Sequence, residues 1–326
     1  MPFGKPEYFS KGTALIHRTV LRSTFAFVVT LLLSATAQAQ LFRAYLAPTG
    51  SDANPCTLPA PCRLLPAALA AVADGGEIWM LDSANYNTAT VTIGKSVSIL
   101  AVPGAVGSVV ATGGNAIDIA AAGLKVALRN LVIVPLPASG ATNGITMTGA
   151  SALTIEDSLI ANLPGNGVYV FGTGTVRIAN TTLRNIGNYA VLARDGASVS
   201  ISGTKMLGNV GGSVRAYSTT AATTAAIVSD SIISGVLYGV FANATVASAS
   251  ARVFVTRCTI EGSFYALDSE TSGVGSALVT VSGSMITNST YGWFQNGSGA
   301  VVKSLGNNHI QDNSSTVGTL TPASLQ

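Results

Sequence analysis

The chain has 326 residues, enough for a sizeable core, but only 10% are charged and Gly, Ala, Ser, Thr and Val dominate, whereas a soluble domain carries about 25% charged residues. That mixture is poor for helices and suits short strands joined by tight turns. The formal charge of +3 resides in the amino-terminal leader, and the remainder is neutral, which excludes long-range attraction to nucleic acid or anionic membrane.

In the leader, Lys5, Lys11, Arg18 and Arg22 precede an apolar run from Phe25 to Leu33 that ends in Ala37-Gln38-Ala39. A basic start, a short apolar stretch and an A-x-A site predict a secretory signal over residues 1–39 and export to the periplasm or the extracellular space. The leader is long, which raises initiation nearer Val20 or Leu21. Cleavage after Ala39 leaves nine Arg and four Lys against nine Asp and four Glu. The apolar run falls short of the roughly 20 residues a spanning helix wants, so no membrane span is expected after cleavage.

Residues 40–80 read as an amino-terminal cap. Cys56 and Cys62 lie in Asn54-Pro55-Cys56 and Pro61-Cys62, among turn formers, where a local disulfide is sterically easy and suits an oxidising compartment. The spacing is not that of a CxxC metal site, and the one histidine after the leader is His309. Leu64 to Ala73 is apolar with good helix formers and precedes Asp74-Gly75-Gly76, which predicts a short capping helix over the open end of the next element.

Residues 81–314 are read as the repeat domain, and from about residue 120 onward one phrase recurs: alternating apolar residues, a turn-type or small residue, a small polar residue, then another apolar position. It is clearest as Val126-Ala127-Leu128-Arg129-Asn130, Leu153-Thr154-Ile155-Glu156-Asp157, Val176-Arg177-Ile178-Ala179-Asn180 and Val199-Ser200-Ile201-Ser202-Gly203, with looser copies centred on Asp230, Arg257, Gly283 and Asn307. Successive centres lie 27, 23, 23, 27, 27, 26 and 24 residues apart, the period of stacked solenoid coils. Five residues after each centre from Asp157 onward stands Asn162, Asn185, Gly208, Gly235, Gly262, Asn288 or Asp312, types that enter left-handed backbone cheaply, so this column is a corner. The variable period and the Val, Ile and Ala content favour a right-handed parallel β-helix over a leucine-rich repeat or a left-handed hexapeptide helix. Residues 315–326 are left as a carboxy-terminal tail that covers the last coil or frays.

These phrases, together with Gly50-Ser51-Asp52-Ala53-Asn54-Pro55-Cys56, Pro61-Cys62-Arg63 and Asp74-Gly75-Gly76-Glu77-Ile78, resemble the pectate-lyase-like superfamily, in particular bacterial right-handed parallel β-helix repeat proteins. The resemblance spans about Phe42 to Asn313. It implies the fold; the family's Asn-Thr-Asp, Gly-His-Gly and esterase phrases are missing from this sequence.

Stacking at one strand spacing places equivalent side chains in columns. One column reads Ser158, Thr181, Thr204, Ser231, Cys258, Ser284, which makes Cys258 a packing residue in a hydroxyl ladder. The outward column of the later strand reads Tyr169, Leu192, Arg215, Phe241, Asp268, Phe294. Aromatic faces interspersed with charge hold sugar rings by stacking and hydrogen bonding, so Tyr169, Arg215, Phe241, Asp268 and Phe294 are the candidate ligand-binding residues. Tyr189, Tyr238, Tyr265 and Tyr291 form an adjacent column, read as structural. Asp268 and Glu270, two apart on one strand face, are the best acidic pair, and Arg194, Asp195 and Arg215 lie on preceding coils; these five are the candidate catalytic residues.

The expectation is an exported, monomeric, noncatalytic β-helix protein of the envelope or extracellular space, binding polysaccharide on a lateral face, without cofactor or metal. The alternatives are a polysaccharide lyase or glycoside hydrolase, and a structural or adhesive rod.

Overall fold

The computed structural model describes residues 1–4 and 40–324, so the expected signal segment lies outside the described residues. From Leu41 onward the chain winds into a right-handed parallel β-helix of about nine turns with about 26 residues per turn. Each of the nine complete coils gives one strand to each of three parallel sheets, and with the end strands the sheets hold 12, 10 and nine strands among the described residues. One coil shows the plan: Ala152–Glu156 enters the first sheet, Leu159–Ala161 the second and Val168–Phe171 the third, and Thr175–Ala179 then pairs with Ala152–Glu156 one layer on.

The corners fall where the turn formers stand. Between first and second strands Asn130, Asp157, Asn180, Gly203, Asp230, Arg257 and Gly283 all have φ between 48° and 58°. After the second strand Asn162, Asn185, Gly208, Gly235, Gly262, Asn288 and Asp312 do the same, with φ between 52° and 65°. An L-residue with a Cβ meets steric conflict there, which Asn, Asp and Gly relieve most cheaply. In the last coil the left-handed residue is Gly306, φ 79°, and not the expected Asn307. Asn307 instead turns its side chain to the coil below, where its Oδ1 accepts the Gly283 amide at 2.9 Å.

The core is a set of apolar columns. In the second sheet Ile133, Ile160, Leu183, Met206, Ile233, Ile260 and Ile286 follow one another in register, and every one is fully buried. The hydroxyl ladder beside the first corner is also buried, and it is bonded in two directions. Thr204 Oγ1 donates to the Ser202 carbonyl at 3.0 Å, and its amide donates to Ser231 Oγ at 3.1 Å on the next coil. Ser158, Thr181, Ser231 and Ser284 each donate to a turn carbonyl of their own coil and accept an amide of the neighbouring one, as buried polar groups require.

Both ends extend past the expected bounds of 81–314. Leu41–Leu46 and Val72–Met80 are already the first two strands of the first sheet. The helix is Leu65–Ala71, shorter than the expected Leu64–Ala73, because Val72 turns extended (φ −75°, ψ 144°) to enter the sheet; Asp74-Gly75-Gly76 lies within that strand. The helix buries Leu65, Ala68 and Leu69, the apolar side with which it plugs the first coil. Cys56 and Cys62 are bonded, Cα atoms 4.6 Å apart, and the Cys62 carbonyl accepts the Ala47 amide at 3.0 Å. Of the two expectations for the tail, it covers the last coil and does not fray there: Leu320–Pro322 pairs with Ala300–Ser304 as the twelfth strand.

Candidate functional site

Strand alternation decides what the third sheet shows to solvent. Val168, Val191, Val214, Val240 and Leu267 point inward and are fully buried, so the next residue of each strand points out. The outward column is therefore Tyr169, Leu192, Arg215, Phe241, Asp268, Phe294, in unbroken register. Two residues further along, a second outward column reads Phe171, Arg194, Tyr217, Asn243, Glu270, Asn296.

The column at the start of these strands changes chemistry midway. Asn143 Nδ2 donates to Asn115 Oδ1 at 2.9 Å, and Asn166 Nδ2 to Asn143 Oδ1 at 2.9 Å, an asparagine ladder that the repeat phrase did not disclose. The signal was present as Asn at spacings of 28 and 23 residues, but it lies outside the phrase. From the next coil on, the same position is Tyr189, Gly212, Tyr238, Tyr265, Tyr291. The Tyr238 and Tyr265 rings stack at 5.2 Å, and Tyr265 and Tyr291 at 5.1 Å. Gly212 leaves a gap that Tyr189 and Tyr238 lean across, to a ring separation of 6.3 Å.

Tyrosine column and outward column then interlock. Phe241 stacks on Tyr238 at 4.8 Å and takes the Arg215 guanidinium on its ring at 4.7 Å, so it is only 4% exposed; its burial corrects its placing as an open face. Phe294 meets Tyr265 edge-on at 4.9 Å and stays partly exposed, as does Tyr169. Arg215 also lies 4.0 Å over Tyr217 and donates from Nη2 to Asn243 Oδ1 at 2.8 Å. Tyr217 and Asn243 are missing from the sequence-derived candidates because, of the second outward column, only the charged Arg194 and Glu270 were singled out there.

Asp268 is the unusual group. It points to the outside of the sheet, between Phe241 and Phe294 in register, yet is fully buried, and neither carboxylate oxygen has a hydrogen-bond partner. Burial pushes its carboxyl up to about 8 and Glu270 adds to the rise, while Arg215 and the nearby Ser269 amide oppose it. A lone buried carboxylate is too costly to keep ionised, so Asp268 holds its proton at neutral pH. Glu270 is also shifted up, by burial, against the pull of Arg215. Burial raises the Tyr189 hydroxyl to about 12.

The five candidate catalytic residues separate into two groups. Arg215, Asp268 and Glu270 come together on neighbouring coils. Arg194 and Asp195 are bonded to each other, Nε to Oδ2 at 2.9 Å, and serve a turn. Asp195 has φ 50° and accepts the Thr219 amide at 2.6 Å and the Thr219 hydroxyl at 2.9 Å. Burial alone would raise its carboxyl, but the Thr219 amide and hydroxyl and Arg194 outweigh it, and the net shift is downward. Tyr217 links the groups, its ring 5.4 Å from the Arg194 guanidinium. Among the described residues no three His, Cys, Asp or Glu side chains are grouped to hold a metal. No described helix is long and apolar enough to cross a membrane.

No protein-family profile and no curated protein sequence matches the chain. Solved structures do. An alginate lyase from Paenibacillus sp. str. FPU-7 is similar at a TM-score of 0.62 and 13% identity, covering 87% of this chain and 100% of its own. The structure of XylC in complex with xylose is similar at a TM-score of 0.52 and 10% identity, covering 78% and 69%. At these identities the likeness shows the fold alone, a right-handed parallel β-helix.

Proposed function

We propose that the protein is an exported, noncatalytic β-helix protein, periplasmic or extracellular, that binds polysaccharide along the outer face of its third sheet. The observation that carries this is the fused aromatic surface from Tyr189 to Phe294, with the unpartnered Asp268 carboxyl set into it. Tyr238, Tyr265, Tyr291 and Phe294 keep part of their rings at the surface, where such a column offers apolar contact to successive sugar rings, and the half-buried Glu270 carboxyl on the same face can accept from sugar hydroxyls. The two solved structures above, one named a lyase of alginate and one holding xylose, are in keeping with a glycan as ligand. A noncatalytic role is favoured by the use of the other acids: Asp195 holds a turn, and Asp157, Asp230 and Asp312 occupy corners.

A glycan array probed with the purified protein tests it. Binding to a polysaccharide class that is lost in Tyr265→Ala and Phe294→Ala is expected; a blank array removes the proposal. One observation favours hydrolysis as a second reading: the proton-holding Asp268 and the second carboxyl of Glu270 share a strand face, and paired carboxyls of this kind serve glycoside cleavage. Release of reducing sugar that Asp268→Ala abolishes would establish that reading instead.

A further inference from the structure

Asparagine followed by glycine is a reactive pair, because the glycine amide can approach the asparagine carboxamide with no Cβ in the way. The sequence holds this pair three times, at Asn143-Gly144, Asn166-Gly167 and Asn296-Gly297. The fold treats the three differently.

The first two are locked into the asparagine ladder. Asn143 Nδ2 donates to Asn115 Oδ1 at 2.9 Å, and Asn143 Oδ1 accepts the Asn166 amide at 2.7 Å. Asn166 Nδ2 donates to Asn143 Oδ1 at 2.9 Å, and Asn166 Oδ1 accepts the Tyr189 amide at 3.3 Å. The glycine amides are engaged as well, Gly144 with the Asn166 carbonyl at 2.9 Å and Gly167 with the Tyr189 carbonyl at 3.0 Å, and both glycines are buried. At either site the coil must open before amide and carboxamide can meet, and that opening costs free energy.

Asn296-Gly297 is built otherwise. Asn296 ends the strand Tyr291–Asn296, and Asn296, Gly297 and Ser298 are all exposed. Among the described residues, neither the Asn296 carboxamide nor the Gly297 amide has a hydrogen-bond partner. The turn that follows is closed by the Ala300 amide donating to the Gly297 carbonyl at 3.2 Å, a bond that leaves the Gly297 nitrogen free. The fold also fixes the glycine behind this asparagine: Gly297 has φ 99°, and a Cβ there would clash with the carbonyl and hydroxyl oxygens of Thr271.

We propose that Asn296-Gly297 is a self-modification site at which the folded protein deamidates. The Gly297 nitrogen bonds to Asn296 Cγ, the bond from Cγ to Nδ2 breaks, and ammonia leaves with the proton that the Gly297 amide gives up. Water then opens the cyclic imide at one of its two carbonyls. Opening at Cγ gives aspartate; opening at the main-chain carbonyl gives isoaspartate, whose backbone runs through the former side chain. Nothing is oxidised or reduced.

Asn296 pairs in register with Glu270, so the product places a new carboxylate one strand spacing from an existing carboxyl, and like charges so close oppose each other's ionisation. The third-sheet face thus gains negative charge as the protein ages, whether or not that face binds a glycan.

The test is peptide mapping by mass spectrometry of purified protein held in warm neutral buffer, with a sample in denaturant run beside it. In the folded protein Asn296 is expected to convert more than about tenfold faster than Asn143 or Asn166, since about 1.4 kcal/mol of opening cost already imposes that factor. Its product should be a mixture of aspartate and isoaspartate, with ammonia released in equal amount. In denaturant the three rates should come together. Asn296→Gln, a change at an exposed side chain without partners, should remove the fast ammonia release, because the longer side chain closes its ring far more slowly. The proposal is overturned if Asn296 stays intact in the folded protein over the time in which the denatured chain converts. It is equally overturned if Asn143 or Asn166 keeps pace with Asn296 in the folded state, if the three rates stay apart in denaturant, or if fast ammonia release persists in Asn296→Gln.

Discussion

Arg215 and Asp268 lie two coils apart in a single outward column, and Phe241 stands between them in register. Opposite charges thus share a face without forming an ion pair, because the guanidinium is drawn to Tyr217 and Asn243 instead. The acid is left in a fully covered position with its oxygens free.

That arrangement sets the pH dependence of stability. The folded-state carboxyl of Asp268 titrates near 8, whereas in the unfolded chain it titrates near the ordinary value of about 3.9. Between these values the native state holds a proton that the unfolded state has released, so stability falls as pH rises through that window. Asp195 acts in the opposite sense: its carboxyl is shifted down, and its contribution is lost as pH falls through the folded value. Thermal melts should therefore show a declining Tm from about pH 5 to about pH 9. Asp268→Asn should flatten that decline and be more stable than the parent at the alkaline end. A decline of equal slope in the variant would mean that Asp268 is ionised before any ligand arrives.

Gly212 is the position on which the aromatic surface closes. A Cβ there would come within 2.8 Å of the Tyr238 carbonyl oxygen and 2.9 Å of Tyr189 Cε1. Gly212→Ala should therefore push the two rings apart and cost about 1–3 kcal/mol, the usual penalty of overpacking. Chemical denaturation gives the stability loss and near-ultraviolet circular dichroism the loss of tyrosine stacking; glycan affinity should drop with the latter. A variant with parental stability and spectrum would show that the glycine does not hold the rings together.

The solenoid was legible because its physics is periodic. A residue forced to positive φ once per coil must be Asn, Asp or Gly nearly every time, so Asn162, Asn185 and Gly208 are visible to a count of spacing. The outward column was legible for the same reason, since Val191 and Val214 fix the phase of Leu192 and Arg215. What the spacing did not carry was interaction across columns. Nothing in the period says that Arg215 turns toward Tyr217, that Phe241 is covered by Tyr238, or that Asp268 loses its water. Those follow from side-chain lengths and ring contacts in three dimensions. Arg194 and Asp195 misled for the converse reason: neighbours in sequence, they bond each other and a turn, and their proximity to Arg215 is incidental to that bond.

The corner column gives a direct test of the backbone argument. Asn162 holds φ 62° on an exposed corner, and its Oδ1 accepts from Asn185 Nδ2 at 3.1 Å. Asn162→Gly should change stability by less than about 1 kcal/mol, while Asn162→Val, with a branched Cβ in the left-handed region, should cost about 1–2 kcal/mol. Equal losses in the two variants, measured by urea denaturation, would locate the effect in the side-chain bond and not in the backbone.

Cys258 occupies a rung of the hydroxyl ladder, and the ladder determines what can replace it. Its thiol reaches the Thr256 carbonyl at 3.3 Å, the bond that Ser231 Oγ makes to Ser229 at 2.6 Å one coil earlier. The thiol also lies 3.5 Å from the Val228 carbonyl, and the Cys258 amide donates to Ser284 Oγ at 3.1 Å. Burial pushes the thiol up to about 11, so there is almost no thiolate at neutral pH and the group is inert. Alkylating reagents should leave Cys258 unmodified in the folded protein and modify it fully in denaturant. Cys258→Ser should hold stability within about 1 kcal/mol, because the hydroxyl can donate to the same Thr256 carbonyl, whereas Cys258→Val leaves that carbonyl without its donor and should cost about 1–3 kcal/mol. Rapid modification of the native thiol would contradict the buried ladder, since the thiolate must form before it can react.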